Sequence, residues 1–141
     1  MLPRRQFLRT SGPVVGAMLV PSCLWLSSAS AQMSGFVAKS LLQSTLEGDA
    51  NKEAVMLAIT IAPTGSSGRH THPGDCYGTV LDGTVELRVD GRDPRRVSVG
   101  EAWHNPRGVV HELRNIDPTP ARVVNTLIVD KGKPRMQPTP Q

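Results

Sequence analysis

The chain has 141 residues, 38% of them hydrophobic, and a formal net charge of +4. This length accommodates one domain with one modest core. Residues 1–31 hold three arginines and no acid, so the remaining 110 residues carry 13 basic and 12 acidic side chains. The excess positive charge therefore belongs mostly to the N-terminus, and we expect no nucleic-acid binding, which requires a basic surface.

Residues 1–31 have the features of an export signal peptide. The segment Arg4-Arg5-Gln6-Phe7-Leu8-Arg9 precedes an apolar run over residues 14–26, and Ala29-Ser30-Ala31 forms an A-x-A type cleavage site. The paired arginines resemble a twin-arginine (Tat) signal, and an ordinary secretory signal is the alternative. We expect cleavage after Ala31 and a periplasmic or secreted product.

Neither a retained membrane anchor nor a lipid anchor is expected. The apolar run is short for a membrane span and contains Pro21. The sequence before Cys23 only faintly resembles a lipoprotein site. We therefore predict no stable membrane insertion after cleavage, which leaves Cys76 as the sole cysteine of the product. A lone thiol in an oxidising compartment is exposed to oxidation unless it is buried or bound to a metal.

From residue 32 onward, short apolar runs alternate with turns rich in Gly, Pro and Asp, a rhythm typical of all-β sandwiches and barrels. The predicted strands are, in chain order, Val37–Leu42, Glu53–Ala62, Arg69–His72, Tyr77–Leu81, Thr84–Val89, Arg95–Val99, Ala102–Asn105, Val109–Arg114 and Arg122–Val129. Asp82-Gly83 predicts a hairpin turn and Pro63–Gly68 a loop. Residues 131–141, with three prolines, predict a flexible tail, so the folded domain is expected to span residues 32–130.

Histidines and the cysteine are spaced as metal ligands. His70 and His72 point to one face if their segment is extended, because side chains alternate along a strand. The turn Pro73-Gly74-Asp75 then brings Cys76 to the start of the next strand, and His111 lies in a later alternating run. This pattern predicts one metal site that comprises His70, His72, Cys76 and His111 inside a small β-barrel. Asp75 is a weaker alternative source of an oxygen ligand.

The same residues resemble the two motifs of the cupin superfamily. In the first motif His70 and His72 match the histidine pair and Gly83 the closing glycine, but Cys76 occupies the place of the usual glutamate and the opening glycine is one residue off. The second motif is matched at every position, by Gly100, Pro106, Gly108, His111 and Asn115. The resemblance covers roughly residues 40 to 130. It implies a double-stranded β-helix, or jelly roll, with a metal ion bound inside the barrel.

Because a cysteine replaces the glutamate, the sequence is compatible with two types of metal site. Three imidazoles and a thiolate would form a closed tetrahedral zinc site. Alternatively, His70, His72 and His111 alone would hold iron, copper or zinc and leave positions open for ligands. Thiol dioxygenases resemble the chain in using three histidines, but the tyrosine that accompanies their cysteine has no counterpart, since Tyr77 directly follows Cys76.

Two functions follow from these two types of site. An open site predicts a metal-dependent oxygenase, such as a dioxygenase, or another oxidoreductase acting on a small organic molecule. A closed site predicts a non-catalytic metal-binding or small-ligand-sensing cupin, and a degenerate cupin without metal is a third alternative. A homodimer is what the resemblance implies about assembly.

Overall fold

Ten β-strands and no helix make up residues 33–140, the part of the chain that the computed structural model describes. The all-β prediction is confirmed; the export signal of residues 1–31 lies outside the described residues. The strands are β1 (Ser34–Leu46), β2 (Asp49–Ser66), β3 (His70–Thr71), β4 (Gly74–Asp82), β5 (Val85–Val89), β6 (Arg95–Val97), β7 (Ala102–Asn105), β8 (His111–Asn115), β9 (Ala121–Asp130) and β10 (Gln137–Pro138). In this range no helix is long and apolar enough to cross a membrane.

The strands form one antiparallel sheet that closes almost completely into a barrel. The main path runs β10-β3-β8-β2-β9-β4-β7, with β1 paired to β2 and β5 paired to both β6 and β8. The longest uninterrupted ladder joins β9 to β2, from Lys52↔Asp130 to Ile61↔Ala121, and β9 also pairs with β4. Alternate residues of these strands therefore point into the barrel, as the period of two in the sequence predicts.

Inward side chains form two apolar clusters. The larger cluster includes Ile61, Val85, Trp103 and Val123. The smaller cluster consists of Val55, Cys76, Leu127 and Val129. Burial of each such aliphatic side chain stabilises the barrel by about 1.5–3 kcal/mol, so the core positions fix which face of each strand points inward.

The predicted hairpin at Asp82-Gly83 is present. Gly83 has a φ of +78°, a backbone conformation that a glycine adopts without the steric penalty of a Cβ atom. The turn leads from β4 into β5, so that β5 can pair with β8. This pairing places Val89 opposite His111, one of the predicted metal ligands.

Two segments differ from the prediction. The predicted loop Pro63–Gly68 is largely strand, because β2 continues to Ser66 and pairs there with Ser34. The pairing tolerates Pro63 since the β1–β2 register shifts between Ser34 and Phe36 and the chain turns at Thr64, which has a φ of 61°. The C-terminal segment is also attached: Gln137 and Pro138 pair with β3, although residues 131–141 were expected to form a loose tail.

Candidate metal centre

Three histidines converge inside the barrel. His70 lies on β3 and pairs directly with His111, the first residue of β8, while His72 follows β3 immediately. The ring centroids are 4.3 Å apart for His70 and His111, 4.8 Å for His70 and His72, and 5.0 Å for His72 and His111. Each ring offers one nitrogen to a group in which all such atoms lie within 4.8 Å of one another. The convergence predicted from the alternation is therefore present.

Backbone carbonyls orient all three rings. The Nδ1 atoms of His70, His72 and His111 lie 2.8, 2.5 and 2.9 Å from the carbonyl oxygens of Gly68, Arg135 and Val109. A carbonyl only accepts, so each Nδ1 must carry the proton that it donates. In the neutral ring the Nε2 atom then keeps its lone pair. This is the tautomer that a histidine bound to a metal through Nε2 needs, and such second contacts orient metal ligands in proteins.

Burial keeps the imidazoles neutral. The three side chains are almost fully buried. Burial lowers the pKa of His70 from 6.5 to about 3 and that of His111 to about 4, and it lowers the pKa of His72 as well. The charge of one ring acting on another adds to the effect of burial on the pKa values of His70 and His111. At neutral pH each ring therefore keeps a single proton, on Nδ1, and no second proton competes with a cation for Nε2.

One ring nitrogen has an unmet bonding requirement. The Nε2 atom of His72 is buried and has no hydrogen-bond partner within residues 33–140. A buried polar atom without a partner is costly. Together with the tautomer of the rings, this atom fits a metal ion held by the three histidines.

Cys76, the fourth predicted ligand, lies apart from the histidines. The described residues that group at metal-binding distance are the three histidines, without Cys76. Its side chain has no exposed surface and packs with Val55, Leu127 and Val129. Burial raises the pKa of the thiol to about 12, because an apolar environment disfavours the charged thiolate. The structure therefore places Cys76 in the core.

The remaining polar candidates, His104 and Asp75, also lie outside the group. His104 faces outward from β7, its ring stacks on Tyr77 at 4.6 Å, and its Nε2 lies 3.4 Å from an oxygen of Asp75. The same Asp75 oxygen accepts a hydrogen bond from the backbone N–H of Arg107. These residues stabilise the outer surface of β4 and β7.

A cavity of about 450 Å³ opens beside the three imidazoles. Apolar side chains from β1, β2, β5, β7, β8 and β9 line most of it, and Arg135 and Met136 from the C-terminal segment close part of the wall. The volume lies within the range of small-molecule sites in proteins. The three ring nitrogens therefore face a space that is large enough for an organic ligand.

The sequence matches the cupin domain family over residues 57–129, more than half of the chain. This chain is a cupin. A search of curated proteins finds no match.

Solved structures share the fold of this cupin. An uncharacterised protein with a double-stranded β-helix domain from Klebsiella pneumoniae is 18% identical, with a TM-score of 0.62 over 75% of this chain and 85% of that one. The polyketide cyclase RemF from Streptomyces resistomycificus is 22% identical, with a TM-score of 0.62 over 79% and 75% of the two chains. Oxalate oxidase in complex with the substrate analogue glycolate is 23% identical, with a TM-score of 0.59, and the match covers 72% of this chain but 54% of that one. At these identities the likeness concerns the fold.

The residues of the second cupin motif connect the site to the barrel. The N–H of Gly108 donates to the carbonyl of His72 at 3.1 Å and so joins the turn before β8 to the segment that carries the histidine pair. The Asn115 side chain donates to the carbonyls of Ile61 and Thr119 and accepts from the N–H of Asp117. Asn115 therefore fixes the loop after β8 and does not face the cavity.

One contributor to the site was missed in the sequence. Arg135 acts through its backbone carbonyl, which accepts from His72, and its guanidinium donates to Gln43 Oε1 at 2.5 Å. Gln43 in turn donates to Glu53. No sequence signal predicts this role, since every residue carries a carbonyl and only the fold decides which one reaches the ring.

Proposed function

We propose that this cupin binds one divalent transition metal ion through His70, His72 and His111 and acts as a metal-dependent oxidoreductase, most simply an oxygenase, on a small organic molecule. The observation that carries the proposal is the convergence of three neutral imidazoles, each with Nδ1 bonded to a carbonyl. Imidazole nitrogen suits iron, copper and zinc. Of these, iron and copper support redox chemistry, whereas zinc does not.

The position of Cys76 favours an open coordination sphere. A closed site of three histidines and a thiolate would leave no place for a substrate, but Cys76 packs in the apolar cluster and is not in the histidine group. Three protein ligands leave positions for substrate and oxygen, as in catalytic metal sites. The cavity beside the rings provides room for both.

The chain itself contributes orientation and exclusion of water. The three carbonyl contacts hold the rings, and the apolar walls shield the site from bulk water. When bound, the ion would polarise a substrate oxygen and, if it is iron or copper, exchange electrons. The substrate analogue glycolate, bound to oxalate oxidase, is consistent with a small organic ligand in a protein of this fold.

A non-catalytic cupin that binds metal and senses a small ligand is the second candidate function. It is favoured by the composition of the cavity wall, in which residues 33–140 place no carboxylate, lysine or tyrosine. A reaction that needs a carboxylate, lysine or tyrosine as general base would find none in this wall, and the three histidines would be occupied by the ion. Oxygen uptake separates the two functions: iron- or copper-loaded enzyme consumes oxygen with a substrate, whereas a sensor binds the same molecule without uptake.

Export and assembly complete the proposal. We infer cleavage after Ala31, a periplasmic or secreted product that begins at Gln32, and a homodimer. Mass spectrometry of the protein recovered from the periplasm tests the first two points, since an intact leader or a cytoplasmic location would refute them. Sedimentation equilibrium tests the third point.

Metal analysis of two histidine variants tests the proposed site. The wild-type protein is expected to hold one ion per chain, and His111→Ala to lose it. His104→Ala is the matched control, because His104 lies on the outer face of β7 and stacks on Tyr77. Metal retained in His111→Ala, or lost equally in both variants, would refute the site.

A further inference from the structure

One row of residues runs across four strands of the barrel wall. Trp103 on β7 pairs with Gly78 on β4, Gly78 pairs with Asn125 on β9, and Asn125 pairs with Leu57 on β2. Trp103, Asn125 and Leu57 line the cavity beside the histidines. The row therefore shapes one wall of the space in which a ligand would lie.

Gly78 makes room for the indole of Trp103. Its φ is not in the left-handed region, so the backbone conformation does not require a glycine there. A Cβ at position 78, however, would overlap the ring of Trp103 and approach the amide oxygen of Asn125. Glycine at this position thus permits the indole to lie against β4 and leaves the adjoining volume free.

The side chains of the cavity wall offer an acidic ligand little positive charge. Among the described residues that line it, Arg135 alone carries a full charge, and its guanidinium is bonded to Gln43 and lies 3.8 Å from Glu53. The other walls are largely apolar, with side chains such as Phe36 and Leu87. A carboxylate placed among such side chains loses hydration without a compensating partner.

The buried polar atoms of the cavity wall that lack a partner in residues 33–140 are hydrogen-bond acceptors. In the metal-free protein each imidazole that donates from Nδ1 presents an unprotonated Nε2, and that of His72 has no partner in residues 33–140, whereas the proposed ion would occupy these three atoms. The Oδ1 atom of Asn125 is likewise buried without a partner in this range. A hydroxyl group can donate to such atoms, whereas a carboxylate can only accept.

We infer that the cavity takes an uncharged molecule with a flat apolar body and a hydroxyl group, a phenol-like ligand that lies against the Trp103 indole. The inference rests on the proposed function for the place where the ligand meets the ion. Gly78 is then a specificity-determining residue, because its missing side chain sets the position of the aromatic wall.

The test uses the full chain with Trp25→Phe, in which Trp103 is the only tryptophan and its fluorescence reports on the cavity. We expect 2-naphthol to change the emission saturably in metal-free protein. 2-Naphthoate, which has the same rings and a carboxylate, should bind at least about tenfold more weakly, equivalent to one 1.4 kcal/mol step in binding free energy. Oxalate should cause no change. Absence of 2-naphthol binding, or equal or tighter binding of 2-naphthoate or oxalate, would overturn the inference.

A second variant tests the role of Gly78. Gly78→Ala should weaken 2-naphthol binding at least about tenfold, while Tyr77→Phe, on the outer face of the same strand, leaves it unchanged. If Gly78→Ala does not fold, Trp103→Ala measured by calorimetry should lose 2-naphthol affinity to the same extent. Unchanged affinity in a folded Gly78→Ala or Trp103→Ala protein would overturn the assigned wall.

Metal content measured on the same samples keeps the two proposals separate. Selective 2-naphthol binding without metal uptake would count against the proposed function alone. One ion per chain without 2-naphthol binding would count against the ligand class alone.

Discussion

Replacement of Cys76 by serine distinguishes a core residue from a metal ligand. The side chain is fully buried, and its neighbours Val55, Leu127 and Val129 are apolar. A hydroxyl there would lack a partner, at a cost of about 1–3 kcal/mol. The nearest polar side chain by pairing is Asn105, whose buried amide has no partner in the described range and would reduce this cost if the hydroxyl reached it.

The expected consequence is lower stability with unchanged metal binding. For a domain of this size the loss corresponds to a decrease in Tm of roughly 4–15 °C. Cys76→Ala is the control, because it removes the sulfur without adding a polar group and should cost about 1 kcal/mol. Thermal unfolding followed by circular dichroism gives Tm, and elemental analysis gives the metal content. A serine variant with unchanged Tm and lost or altered metal would show that the thiol binds the ion and would refute its assignment to the core.

Two further predictions concern the metal-free protein and the C-terminal segment. Since the pKa values of His70 and His111 are lowered from 6.5 to about 3 and about 4, the unfolded chain binds more protons below pH 6.5 than the folded one. The free energy of unfolding of the protein stripped of metal by a chelator should therefore fall as the pH is lowered from 6.5 to 4, by about 1.4 kcal/mol per pH unit for each ring. A Tm that does not change with pH over this interval would contradict the burial of two neutral imidazoles. Deletion of residues 134–141 removes the carbonyl that orients His72 and should weaken metal affinity roughly 10–100-fold in chelator competition. Arg135→Ala, which keeps the carbonyl, should lose less, and equal affinity of the deletion and the wild type would refute the role of this contact.

The sequence was most informative where its pattern repeats or has a fixed spacing. The apolar run Glu53–Ala62 predicted the central part of β2, which the structure extends to Asp49–Ser66. The turn at Asp82-Gly83 followed from the need for a positive φ. The spacing of His70 and His72, with the motif around His111, predicted three converging rings, and the structure brings them together.

The position of Cys76 relative to the histidines and the backbone contacts of the rings were not predictable from the sequence in the same way. The alternation of side chains along β4 correctly predicts that Cys76 points inward. It does not give the distance between Cys76 and the histidines, and the thiol packs among aliphatic side chains. The carbonyl of Arg135 reaches His72, 63 residues earlier in the sequence, because β10 pairs with β3. The proline-rich composition of residues 131–141 predicts a loose tail. Composition alone does not indicate that this segment pairs with β3.

X-ray absorption spectroscopy of the metal-loaded protein tests the central claim most directly. The account predicts a first shell of nitrogen and oxygen with the multiple scattering of three imidazoles and no sulfur. A sulfur scatterer at about 2.3 Å from the ion, or fewer imidazoles than three, would contradict it.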